Sequence, residues 1–208
     1  MAENNTQDHK LPDPFGRLDA SDDALFYATP RKVTHIEQGA ISALQHFYAE
    51  NLPSGGEILD LMSSWRSHLP EGLGPVTGLG MNSEEMADNP QLDTFTVHNL
   101  NKMPLLPFEE NAFDAVVCAV SVQYLEHPVH VFSEVQRVLR PNSPVIVSFS
   151  NRCFPTKAVN IWRYSTSSQH QDLVRMYLEK NAFHQVRTRE ITTRDDPMYI
   201  VSGIKPHE

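Results

Sequence analysis

At 208 residues, 40% of them hydrophobic, the chain can bury one sizeable core and no more. Its formal charge of -9 argues against a nucleic-acid or anionic-membrane partner, because binding phosphate requires clustered Lys and Arg. No window reaches membrane-spanning length, the amino terminus lacks an apolar signal-like region, and Cys118 and Cys153 fit a reducing compartment, so a soluble cytoplasmic protein is expected.

Residues 1–22 are polar, carry Pro12 and Pro14, and lack periodicity, which reads as a loose arm ahead of a single domain over 23–208. A helix is expected over 30–50, with Thr29 as its cap, Pro30 in its first turn, and Val33, Ile36, Ala40, Leu44 and Phe47 at helical spacing. Arg31 and His35 would then share a face, as a ligand wall or simply as a solvated surface. The turn at Pro53–Gly56 leads into a first strand, Ile58–Leu61. Asp60 lies near its C-terminal end, facing the crevice where open α/β sheets hold ligands. The next loop, Met62-Ser63-Ser64-Trp65, has no glycine, although close approach of a ligand to backbone normally relies on one.

After a connection too short for the usual crossover helix, strands are expected at Val76–Leu79, Thr94–Val97 and Phe113–Val120. The last is an apolar run suited to burial on both faces. Ser83 would cap a short helical piece, Glu84–Ala87. Pro128 opens an amphipathic helix whose stripe is Val131, Phe132, Val135, Val138 and Leu139. A fifth strand at Val145–Phe149, helices around 156–162 and 169–180, and strands at Val186–Thr192 and Met198–Gly203 complete a sheet core over 57–204. Strands alternating with helices, closed by a strand pair, indicate one doubly wound α/β domain with an antiparallel edge.

The succession Ile58-Leu59-Asp60-Leu61, Val76-Thr77-Gly78-Leu79-Gly80-Met81-Asn82, Leu106 to Val116 and Glu134 to Pro141 resembles the class I S-adenosylmethionine-dependent methyltransferases, type 11 group, over roughly residues 55–204. The resemblance implies a Rossmann-like seven-stranded sheet of order 3-2-1-4-5-7-6, with strand 7 antiparallel, and S-adenosyl-L-methionine as cofactor. It places Asp60, Met62 and Ser64 of the first loop, Gly80, Met81 and Asn82 after the second strand, Asn99 and Leu100 after the third, and Val120 and Ser121 after the fourth around that cofactor.

The departures fall in the cofactor motifs. Met62, Ser64 and Arg66 stand where the family's glycines lie, and Gly80 stands where an acid binds the ribose hydroxyls. Asn82 is the nearest replacement for that acid, and Gly80→Asp is expected to restore it and tighten binding. Asn99 occupies the position of an Asp that contacts the adenine amino group, and its amide oxygen still offers an acceptor.

His68, eight residues past Asp60, is the candidate base, because a neutral imidazole accepts a proton near pH 7. Tyr124 is the second catalytic candidate, and Trp65, Arg31 and His35 would wall the acceptor; core or surface positions are the plainer reading of each. His127 and His130 have metal-like spacing without a further ligand nearby, and no metal is expected. Two functions are carried forward: methyl transfer to a small-molecule acceptor, with the attacked atom and oligomeric state open, or an inactive methyltransferase-fold protein that binds or regulates.

Overall fold

A computed structural model describes residues 12–194 and 196–207. Seven strands form one sheet: β1 Ile58–Ser63, β2 Val76–Gly80, β3 Thr94–Val97, β4 Ala115–Ala119, β5 Pro144–Phe149, β6 His184–Ile191 and β7 Met198–Ile204. Their order is β3-β2-β1-β4-β5-β7-β6. β1 to β5 run parallel, and β7 lies antiparallel to both β5 and β6. This is the topology the resemblance implied.

Strand alternation divides the core into two layers. Ile58, Ala115, Val117, Ile146 and Ile200 pack with Ile41, Leu44, Phe47 and Tyr48 of helix α2, Gln38–Asn51. Leu59, Leu61, Val116, Cys118 and Val147 pack on the other side with the apolar faces of α4, Pro128–Val138, and α6, Ser167–Lys180. The central strands are therefore buried on both faces, as their continuous apolar runs require. Three short α-helices, α1 Asp23–Phe26, α3 Ser83–Ala87 and α5 Asn160–Arg163, and one 3-10 turn, Val122–Tyr124, complete the elements of the described residues. No helix among the described residues is long and apolar enough to cross a membrane.

Three expectations are corrected. The helix expected from residue 30 begins at Gln38, and residues 29–37 form a strap instead. Its amides are claimed from outside: Glu85 accepts from the Arg31 N–H at 2.5 Å and Asp196 from the Glu37 N–H at 2.8 Å, so a helical ladder gains nothing there. Second, residues 12–22 are not loose. Asn160 N donates to the Gly16 carbonyl at 2.8 Å, Ile161 N to Pro14 at 2.7 Å, and Asp19 N to Thr156 at 2.9 Å. The rest of the expected arm lies outside the described residues. Third, α3 is capped by Asn82 rather than Ser83, with the Asn82 side chain accepting from Glu85 N at 3.0 Å.

Candidate functional site

The parallel strands β1, β2 and β4 end side by side, and an open cleft lies over their C-terminal ends. Every residue singled out from the sequence as a site candidate lines this cleft. Asp60, Ser63, Gly80 and Val120 line its base; Tyr27 at the end of α1 and Arg31 and His35 of the strap face it with Phe154 from the loop after β5. Arg31 and His35 thus reach the cleft from extended chain, not from the helix face expected for them.

The first loop keeps a glycine-type backbone without its glycine. Met62 sits at φ 61°, the left-handed region, at a cost of roughly 1–2 kcal/mol for a side chain with a Cβ. His68 (φ 55°) and Val120 (φ 45°) are strained in the same way, so three of the outliers border one cleft. Val120 is held there by its N–H to Ser148 O at 2.8 Å and by Gln123 Nε2 to its carbonyl at 2.9 Å.

The irregularity at Met62 presses the Ser63 carbonyl against Gly80. A Cβ on Gly80 would fall inside the contact distance of that backbone oxygen, so an acid cannot stand there and Gly80→Asp cannot restore a ribose acceptor. Gly80→Ala is expected to lower stability by about 1–3 kcal/mol, read from urea midpoints. An unchanged midpoint would show that the Ser63 loop yields freely.

The two asparagines expected to replace lost acids are engaged elsewhere. Asn82 uses Oδ1 as the α3 cap and donates Nδ2 to the carbonyls of Tyr27 at 2.8 Å and Ala28 at 3.4 Å, tying down the strap. Asn99 Oδ1 accepts from Asn101 N at 3.0 Å and Lys102 N at 3.3 Å, closing a turn. Asn99 Oδ1 has both lone pairs engaged, and Asn82 Oδ1 keeps one but is held in place by the cap.

Two carboxylates are better placed. Asp60 is 2% exposed and accepts from the Ser63 hydroxyl at 2.5 Å; burial pushes its carboxyl up to about 6 against that hydrogen bond. Glu85, buried on α3, accepts from Arg31 N and from the Ser64 hydroxyl, each at 2.5 Å, and so joins strap, first loop and helix. The sequence reading missed Glu85. Asn82-Ser83-Glu84-Glu85 has the spacing of a capping box, in which the acid at the third helical position would fold back on the cap; here that acid turns to the cleft instead.

The remaining candidates have settled roles. Burial, followed by His35 and Arg66, pushes His68 down to about 4, so its ring is neutral at pH 7 and a weak base, which corrects its expected strength. Burial likewise lowers His35, whose ring meets Phe154 edge-on at 5.3 Å. Burial pushes Tyr124 up to about 12, and its hydroxyl accepts from Phe154 N at 2.8 Å. Tyr124 is therefore a neutral phenol that fixes Phe154. Trp65 Nε1 donates to Val33 O at 3.0 Å, while Ser121 Oγ lies 3.3 Å from Cys118 Sγ. Met81 and Leu100 add apolar wall. His127 and His130 have ring centroids 6.3 Å apart, and among the described residues no three His, Cys, Asp or Glu converge as a metal-ligand set.

Residues 67–147 match the family model of a methyltransferase domain, type 11. The demethylmenaquinone methyltransferase of Staphylococcus epidermidis is 25% identical over 156 residues, 70% of this chain and 62% of that enzyme, so the chain spans less than two thirds of its length. Among solved structures, a chain in the complex between the Haloferax volcanii Trm112 methyltransferase activator and a methyltransferase superposes with a TM-score of 0.62 at 16% identity, covering 82% of this chain and 91% of that one. The 4+2 cyclase SpnF superposes at 0.61 with 15% identity, covering 85% and 86%. Together with the strand order, these findings identify the class I S-adenosylmethionine-dependent methyltransferase fold. The cyclase shows that this fold also hosts other chemistry.

Proposed function

We propose that this class I methyltransferase-fold chain transfers a methyl group from S-adenosyl-L-methionine to a small-molecule acceptor in the cleft. The observation that carries the reading is the pair of buried carboxylates, Asp60 and Glu85, on either side of a first loop that keeps a left-handed turn. The residues present fit the cofactor. Glu85 has accepted two hydrogen bonds and keeps lone pairs for a diol, which makes it the replacement for an acid at Gly80. Asp60 supports the first loop, and Met81 and Leu100 offer an apolar slot for a base.

When bound, the cofactor supplies an already activated sulfonium methyl, so the protein's task is positioning and the exclusion of water. The strap with Arg31, and Tyr27 just before it, border the cleft, and Tyr124 holds Phe154 in its wall. His68, neutral and without a hydrogen-bond partner among the described residues, accepts a hydrogen bond from the nucleophile rather than removing its proton outright. Asp60 is the stronger proton acceptor of the two. Similarity to an enzyme named for demethylmenaquinone supports a small-molecule acceptor.

The second reading, a fold that binds without transferring, is favoured by one observation: Gly80 has no room for an acid, and Asn82 and Asn99 are committed to a helix cap and a turn. Calorimetric titration separates the two. Micromolar binding of S-adenosylmethionine and S-adenosylhomocysteine is expected, weakened about tenfold or more in Glu85→Gln, the loss of a charge-assisted bond. No heat up to millimolar ligand would overturn the transferase reading.

A further inference from the structure

Three arginines line the cleft, and they are held differently. Arg152 has closed its fork: Nε donates to Asp196 at 2.7 Å and Nη2 to Glu37 at 2.8 Å. Arg31 uses only Nη1, toward the carbonyls of Phe26 at 2.7 Å and Thr29 at 3.3 Å, and its guanidinium lies 4.2 Å from the Phe26 ring centroid. Arg66 likewise uses only Nη1, toward the Trp65 carbonyl at 2.8 Å, with its guanidinium 4.1 Å from the Trp65 ring. Among the described residues nothing bonds Nε or Nη2 of either side chain, and neither forms an ion pair. That edge is the one that meets a carboxylate or phosphate through two parallel N–H bonds.

The strap links the two stacks, and both arginines line the same cleft. Val33 N donates to Arg31 O at 2.8 Å, and Val33 O accepts from the Trp65 indole at 3.0 Å, so the strap beside one stack is bonded to the aromatic ring of the other. Val33 between them is 57% exposed, and Arg31 and Arg66 are each half-buried in the lining of the cleft, within reach of solvent. Carboxylates are close at hand yet do not close the forks: Glu85 takes the Arg31 backbone N–H and the Ser64 hydroxyl, and Asp60 takes Ser63. In a chain with 26 acidic and 17 basic residues, two half-buried guanidinium groups without a carboxylate partner run against the charge balance. Stacking fixes both forks before any ligand arrives, which lowers the ordering cost of binding.

We propose that Arg31 and Arg66 form an oxyanion site that takes the carboxylate or phosphate of the cleft's small-molecule substrate. Naming that substrate a methyl acceptor rests on the transferase reading, whereas the oxyanion site itself does not. The competing source of a carboxylate is the amino-acid end of the cofactor.

The test is equilibrium binding of phenyl phosphate, benzoate and the neutral benzamide to the full chain, with and without saturating S-adenosylhomocysteine. At least one anion is expected to bind about tenfold tighter than benzamide, and Arg31→Gln/Arg66→Gln to erase that preference while leaving the S-adenosylhomocysteine affinity within about twofold. Arg31→Lys/Arg66→Lys, which keeps charge but loses the fork, should retain only part of it. An unaltered melting temperature in each variant certifies the fold.

Equal binding of anion and amide to wild type overturns the proposal. So does a variant that loses S-adenosylhomocysteine but keeps 5′-methylthioadenosine, which lacks the amino-acid carboxylate, because the forks would then serve the cofactor. Anion preference in a chain that ignores S-adenosylhomocysteine would sink the transferase reading and leave the oxyanion site standing.

Discussion

Asp23→Ala is expected to lower the stability of the chain by about 2–4 kcal/mol, the effect of removing a buried carboxylate shared by two cations that each keep one other acidic partner. Asp23 is 5% exposed at the start of α1 and accepts from Arg17 Nη1 at 2.6 Å and Asn101 Nδ2 at 2.9 Å, with Lys157 Nζ at 3.3 Å. Lys157 has no exposed surface at all. Without Asp23, Arg17 keeps Glu126 at 2.7 Å, and Lys157 keeps Asp19 at 3.2 Å, the oxygens of residues 19 and 21 and the face of the Phe26 ring.

The double variant Asp23→Leu/Lys157→Met should recover part of the loss, since apolar groups of similar volume often replace a buried ion pair at little cost. Urea unfolding of the three proteins decides it; a loss below about 1 kcal/mol for Asp23→Ala would mean that water reaches the cluster. The cluster also matters to the site. Asn101, bonded to Asp23, donates to Tyr124 O at 3.0 Å and accepts from Glu126 N at 2.9 Å, so α1 is fastened to the turn that follows β4. S-adenosylhomocysteine affinity should fall with stability in Asp23→Ala.

The sheet was legible because its signals are local. Residues 58–61, 115–119 and 145–149 are largely apolar stretches, and burial on both faces leaves little else they can form. The strap was not legible, because its conformation is set from far away in sequence. Thr29 and Pro30 carry a valid helix-start pattern, yet Glu85, Asp196 and Trp65 bind Arg31, Glu37 and Val33, and no periodicity encodes those partners. The cofactor side failed at the same level. Residue types at 62, 80, 82 and 99 identified the right places, while the backbone decided their use: Met62 adopts the turn of a glycine, and Ser63 O closes the space above Gly80. Glu85 escaped notice because an acid in the first turn of a helix is ordinarily explained by the helix alone.

Asp60 and His68 should give the stability curve two opposed pH slopes that nearly hide each other. Asp60 is raised from 3.8 to about 6 by burial, so the folded state binds more protons than the unfolded chain between those values. Its contribution is complete below pH 3.8 and is lost as pH rises through about 6. His68 is lowered from 6.5 to about 4, again by burial first, so here the unfolded chain binds more protons. Its contribution is complete above pH 6.5 and is lost as pH falls through about 4. At 1.36 kcal/mol per unit, each is worth about 3 kcal/mol, to order of magnitude, over nearly the same window. Wild type should therefore be almost flat from these two groups. Asp60→Asn is expected to unmask stability that rises from pH 4 to 6.5, and His68→Gln stability that falls from pH 4 to 6. Urea midpoints at half-unit steps across that range measure both. Curves for the two variants that run parallel to wild type would show that neither group is held in the protonation state its burial imposes, and Asp60 would then be an ordinary ionised carboxylate in the floor of the cleft.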